Sequence, residues 1–233
     1  MVFPIGDDQV KGGNKPMFAY LFIAFNVLIF IFQVMLPPDQ LEPFVIKYGS
    51  IPSEIVQGQD LFTLFTSMFL HGGWMHLIGN MLFLWVFADN IEAVIGNFNF
   101  VLFYLLGGLA AAVAHVLSGP GSQVPAVGAS GAISAVLGAY LVMFPASKIK
   151  VLVLYFFRSF YMPAVFFLGI WIIQQLISGF FSLGSAASQA QQSGVAWWAH
   201  IGGFAFGVVA GLVARRMIEN KSTPLGNSDR EFV

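Results

Sequence analysis

The sequence contains no cysteine. Disulfides, thiolate nucleophiles and Cys-ligated metals are therefore excluded. Charge is scarce as well: 9% of the 233 residues are Asp, Glu, Lys or Arg, against about 25% in a soluble domain. The formal net charge is −1, so no basic patch points to nucleic acid or another polyanion as partner. Residues 1–16 carry Asp7, Asp8, Lys11 and Lys15 with no apolar run before Lys15. They read as a polar tail, and a cleavable leader or an Arg-rich transit peptide is not expected there.

Apolar residues fill the rest. They make up 58% of the chain, and the mean hydropathy is +0.80. Such a chain must meet lipid. Apolar stretches run over Met17–Leu36, Trp74–Val94, Phe98–Leu117, Ala129–Phe144, Met162–Phe181 and Ala196–Ile218. Crossing the hydrocarbon takes about 20 helical residues; the fourth stretch alone falls short. Leu61–Leu70 is apolar but too short to cross, and reads as an interfacial or re-entrant piece of the Pro37–Gly73 loop.

The basic residues fix the sidedness. Lys11 and Lys15 precede the first span, Lys148, Lys150 and Arg158 separate the fourth from the fifth, and Arg215, Arg216, Lys221 and Arg230 follow the sixth. Six spans put all of these on one side, with Lys47 on the other. The positive-inside rule then makes both termini cytoplasmic. The expected fold class is an all-α polytopic membrane protein, a six-helix bundle: a tail over 1–16, a membrane core over 17–218 and a second cytoplasmic tail over 219–233. The 37–73, 119–127 and 182–195 loops face outside.

The fourth span runs inward and ends near Pro145. Ser130 to Pro145 rises roughly 22 Å in a core of about 30 Å, which starts Ser130 roughly 8 Å below the outer surface. The preceding GPGSQVPAVG is too rich in Gly and Pro to be helical throughout. Irregular backbone at that depth is tolerated only inside protein or beside a water-filled cavity, so Ser130 is expected at the floor of a wet depression. His200 to Arg215 repeats the same separation on the sixth span, and Asn80 to Gly96 nearly repeats it on the second. Ser130, His200 and Asn80 thus share one depth, with His76 one turn above Asn80 on the same face.

Small residues predict which helices touch. His200, Gly203, Gly207 and Gly211 form one stripe; Ser130, Ser134 and Gly138 form another. Small-xxx-small stripes let helix backbones approach closely in lipid, and pressing these two together brings Ser130 toward His200. A serine beside a histidine is the minimum for acyl transfer. Ser130 opens a helix, where unpaired amides favour negative charge, and His76 and Asn80 can add side-chain donors for an oxyanion. Asp89 and Glu92 lie toward the far end of the second span, so the pair reads as a dyad without an acid. The competing reading makes Ser130 a small packing residue and His76 and Asn80 structural ties. His71 is expected to be structural, His115 has no partner motif, and Gln174 and Gln175 are expected to face the bundle or a hydrated gap. No metal is expected, since no carboxylate joins His71, His76 and His200.

At these residues the chain resembles the rhomboid intramembrane serine proteases, over roughly Met17 to Arg216. The resemblance rests on His71-Gly-Gly-Trp-Met-His76-Leu-Ile-Gly-Asn80, Gly128-Ala-Ser130-Gly131 and Ala199-His200-Ile-Gly-Gly203. It implies Ser130 as nucleophile, His200 as general base, and His76, Asn80 and the Ser130 amide as oxyanion hole. Gly128, Gly131, Gly203 and Gly207 support the packing around them. It further implies cleavage of other proteins' single membrane spans near the outer face, in a prokaryotic cell membrane, without cofactor or metal. Two positions depart from the family. Phe62-Thr63 stands where many members carry Trp-Arg. Ser134 stands where many place an aromatic against the histidine, so His200 is to be held by Gly131 contacts or by another span's aromatic. A non-proteolytic six-helix protein, binding client helices or transporting solutes, is the alternative. Matched broken helices in the two halves would mark a transporter, and none is evident.

Overall fold

The apolar runs fold as helices, and Pro and Gly set most of their ends. The computed structural model describes residues 2–8, 10, 13–184 and 195–222. In chain order, β1 (Val2–Gly6) precedes α1 (Phe18–Met35). The short α2 (Pro38–Tyr48), α3 (Pro52–Val56) and α4 (Thr63–Thr66) follow, then a 3-10 turn at Ser67–Phe69. The remaining elements are α5 (Trp74–Ile95), α6 (Asn97–Ser118), α7 (Ser130–Met143), β2 (Lys148–Val153), β3 (Arg158–Pro163), α8 (Ala164–Gly184) and α9 (Trp197–Ser222).

Among the described residues α1, α5, α6, α8 and α9 are long and apolar enough to cross a membrane, and α7 is a shorter apolar helix. The chain is thus the helical polytopic bundle expected, with its fourth span short. Pro38 and Pro52 open α2 and α3, where the missing N–H costs nothing. Gly96, at φ +85°, ends α5 and starts α6, a reversal that residues with a Cβ rarely make.

Two features go beyond the sequence reading. First, β1, β2 and β3 form an antiparallel sheet in that order. The fifth span accordingly begins at Ala164, because Met162 and Pro163 complete β3. Second, α4 and the 3-10 turn pack against the bundle on one side: Thr63, Ser67 and Met68 are buried, while Leu61, Phe62 and Phe65 are exposed. Lys11, Arg230 and residues 185–194 of the last loop lie outside the described residues.

α7 is the core. Every residue from Gly131 to Tyr140 is buried, as befits a helix apolar all round. Lipid supplies no hydrophobic drive between helices, so contact depends on how closely backbones fit. A Cβ at Gly203 would collide with the Gly131 carbonyl, one at Gly207 with the Ala135 carbonyl, and one at Gly138 with the Phe204 carbonyl. The α7–α9 contact is therefore backbone against backbone.

At the opposite end of the bundle from Ser130, Glu92 is completely buried. Its carboxylate accepts from the amides of Met17 (3.0 Å), Phe18 (2.8 Å) and Ala19 (2.7 Å). α1 has no side-chain cap of its own, and Glu92 satisfies orphan donors that lipid cannot.

Candidate active site

Ser130 is positioned by the irregular segment before it. That segment is pinned to the first loop by paired backbone bonds between Ser50 and Ala126 (3.0 and 2.8 Å), and by Gly128 N–H on the Ser67 carbonyl at 2.8 Å. Gly128 sits at φ +130°, and an added Cβ would lie 2.8 Å from Cε1 and Nε2 of His76 and 3.6 Å from Nδ2 of Asn80. Only glycine meets both demands. The α7 ladder begins with Ile133 N–H on the Ala129 carbonyl at 2.9 Å, so the amides of Ser130, Gly131 and Ala132 open the helix.

His200 lies in the first turn of α9, and its Nε2 is 2.8 Å from the Ser130 Oγ. Its Nδ1 is 2.7 Å from Oε1 of Gln175 on α8. An amide oxygen only accepts, so Nδ1 carries the proton and Nε2 of the neutral ring presents its lone pair to the serine hydroxyl. Trp171, one turn before Gln175, holds its ring 5.9 Å from the imidazole at 35°, and Trp197 approaches edge-on at 6.3 Å and 88°. Of the two supports anticipated for His200, the aromatic from another span is Trp171, and Gly131 meets the His200 helix through its carbonyl against Gly203. The Ser134 hydroxyl instead donates to the Ser130 carbonyl at 2.6 Å.

His76 and Asn80, one turn apart on α5, converge on Gly128, two residues before the serine. Gly72 N–H donates to Nδ1 of His76 at 3.3 Å, which leaves the Nε2 beside Gly128 as the ring's N–H donor. The Asn80 amide nitrogen is 3.0 Å from Nε2 of His71. Burial, and then the nearby His76, pull the His71 imidazole down to about 4, so at neutral pH this ring is uncharged and accepts from Asn80. A cavity of about 40 Å³ adjoins Ser130, lined by Ser67, His115, Gly128, Gly131 and Ala199 among others. A water needs only about 10–15 Å³ of such space.

The structure thus brings Ser130, His200, His76 and Asn80 to one place. Gly203 and Gly207 sit against the α7 backbone. Gly131 also packs on α6, where an added Cβ would be 2.6 Å from that of Ala111. Thr63, at the departure from Trp-Arg, is buried with its hydroxyl on the Asp60 carbonyl at 2.7 Å. Sequence reasoning missed the partners of these groups. Gln175 is buried while Gln174 is exposed, so the two do not share a surface. The available signal was a glutamine one turn below a tryptophan in an otherwise apolar span, since polar groups there carry function by default. His71, read as structural, is the group that holds Asn80.

Residues 58–217 match the Rhomboid domain. The chain is 33% identical over 128 residues to rhomboid protease GluP of Bacillus subtilis, covering 55% of this chain and 25% of the relative. It is 28% identical over 212 residues to rhomboid protein 1, mitochondrial, of Saccharomyces cerevisiae, covering 87% and 54%. It is 30% identical over 116 residues to presenilin-associated rhomboid-like protein A, mitochondrial, of Danio rerio, covering 49% and 30%. The chain therefore belongs to the rhomboid family of integral, multi-pass membrane proteins, a family of intramembrane proteases. It spans about a quarter to about half of the length of these relatives.

Proposed function

We propose that this chain is an intramembrane serine endopeptidase that hydrolyses peptide bonds in or near single membrane spans of other proteins, with Ser130 and His200 as its dyad. The observation that carries the reading is the 2.8 Å approach of His200 Nε2 to Ser130 Oγ, with Nδ1 tied back to Gln175. Ser130 Oγ attacks the scissile carbonyl carbon as its proton passes to His200 Nε2. The carbonyl oxygen becomes an oxyanion, held by the Ser130 amide, His76 Nε2–H and the Asn80 amide. The C–N bond then breaks, and His200 gives its proton to the leaving amine. Water attacks the acyl-serine as His200 takes its proton; the acyl bond to Ser130 Oγ then breaks and His200 returns the proton to that oxygen, which releases the acid product and restores Ser130. A neutral Gln175 orients the imidazole through a hydrogen bond where a carboxylate would add charge.

The membrane core is residues 17–218, with both termini cytoplasmic by the positive-inside rule. Similarity to a bacterial relative supports a prokaryotic cell membrane. The scissile bond of a substrate then lies near the outer end of its span. A helix must open locally to expose that bond, so Gly or Pro nearby speeds cleavage by lowering helix stability. A serine-directed fluorophosphonate tests the reading: it labels the wild-type protein in detergent and leaves a folded Ser130→Ala variant unlabelled. Equal labelling of both would overturn the assignment. A cut mapped by mass spectrometry to the cytoplasmic end of a substrate span would overturn the topology.

A further inference from the structure

The β2–β3 hairpin joins α7 directly to α8, so it starts and ends at the membrane boundary. Its two faces differ. Ile149, Val151 and Val153 point one way along β2, and in the antiparallel register they share that face with Met162, Phe160 and Arg158 of β3, because directly opposed residues point the same way. Ile149 and Val151 are completely buried in the cluster that includes Phe87, Tyr140 and Leu168 of the helices. This face therefore looks toward the bundle. Phe160 lies directly opposite Val151, yet it is 46% exposed. The sheet thus overhangs the bundle on the β3 side, leaving part of the Phe160 ring uncovered by the helices. The other face carries Lys148, Lys150 and Ser159 together with Leu152, Pro163 and the exposed Tyr161.

The hairpin tip continues the pattern. Tyr155 and Phe157 are 82% and 83% exposed, and Phe156 is exposed beside them. Phe157 takes a left-handed φ of 50°, a conformation that glycine or asparagine adopts at lower cost. Within the chain, little contact accompanies that cost. Residues 145–163 hold Lys148, Lys150 and Arg158 and no acid. Aromatic residues at headgroup level and cations beside them mark the membrane–water interface, and anionic lipid attracts such cations.

We propose that this hairpin is an interfacial anchor: Phe160 and the Tyr155–Phe157 tip seat in the headgroup region of the adjacent leaflet, with Arg158 on the phosphates of anionic phospholipid. The anchor lies outside the catalytic machinery and stands whether or not the chain cleaves peptides. It fixes the height at which α8 enters the membrane, since Pro163 of β3 is followed at once by the first residue of α8.

The absence of cysteine makes the test direct. The full chain carries one nitroxide, at Phe156→Cys, Phe160→Cys or Ser159→Cys, in liposomes of phosphatidylcholine with phosphatidylglycerol. Collision with oxygen, which partitions into lipid, is compared with collision with a water-soluble nickel chelate. Ile170→Cys on exposed α8 surface and Gln59→Cys in an exposed turn serve as lipid and water references. Labels at 156 and 160 should fall between the two references, with oxygen collision favoured over the level at Gln59, and the label at 159 should resemble Gln59. Replacing phosphatidylglycerol by phosphatidylcholine alone should raise nickel access at 156, and Arg158→Gln should remove that lipid dependence. Nickel-dominated collision at both 156 and 160 would overturn the anchor. A lipid-like label at 159 would overturn the face assignment, and indifference to lipid charge would overturn the anionic partner.

Discussion

At the strand end of the bundle, polar groups meet one another and close off. Glu92 caps α1. Asn90 donates to Asp7 at 2.6 Å and accepts from the Val10 amide at 2.8 Å, the Tyr140 hydroxyl reaches Asp7, and Lys148 N–H donates to Asp8 at 2.9 Å. At the other end, Ser130, His200, His76 and Asn80 are held just as firmly, by Gln175, Gly72 and His71. There the Ser130 hydroxyl meets the His200 ring at 2.8 Å, and a cavity adjoins Ser130. Buried polar groups at the first end tie segments about 80 residues apart; at the second end they gather Ser130, His200, His76 and Asn80 around the start of α7. On the proposed function, stability and chemistry are thereby separated along the length of α5, which carries Glu92 at one end and His76 and Asn80 near the other.

That separation can be broken residue by residue. Asn80→Ala or His76→Ala should lower turnover by about 10²–10³, the usual cost of one oxyanion donor, while substrate affinity holds, because the charge exists only in the transition state. A KM rising as much as kcat falls would assign both to binding. Gly207→Val forces a side chain into the Ala135 carbonyl and should push α9 off α7. A shift of about 1 Å at the reacting groups costs roughly a hundredfold in rate, and thermal stability in detergent should drop with it. Unchanged activity and stability would show that the backbones do not meet there.

Glu92→Ala should do the reverse. Each buried donor left unpaired costs about 1–3 kcal/mol, so the melting temperature falls. The kcat of the protein that remains folded should match wild type; a selective loss of kcat would join the two ends. Gln175→Leu is the smallest change. A neutral hydrogen bond is worth about 0.5–1.5 kcal/mol net, so turnover should fall by up to roughly tenfold with KM unchanged. Gln175→Glu, which keeps the acceptor, should recover most of it, and equal losses in both variants would argue against an orienting role.

How much of this was legible followed from spacing. Small residues and the Ser-His-Asn depths repeat at helical intervals, so the stripes and the convergence of Ser130, His200, His76 and Asn80 could be read from one chain. What could not be read are contacts between segments with no shared period. Glu92 capping α1, Asp7 reaching Tyr140 and His71 holding Asn80 each depend on how loops fold back over helix ends. The hairpin escaped because Lys148–Pro163 mixes charge, aromatics and β-branched residues without strict alternation, and its proximity to an apolar span let Met162 and Pro163 pass as helix. Gln175 was visible as an oddity, but its partner was set by the rotation of α8, which composition does not encode.

The most direct measurement is cleavage of a single-span substrate in liposomes by Ser130→Ala, His200→Ala and the double variant. Each single change should abolish cleavage while the protein stays folded. The double variant should be no worse than either, because the two residues act as one unit. Near-normal cleavage by Ser130→Ala, or losses that multiply, would contradict the dyad.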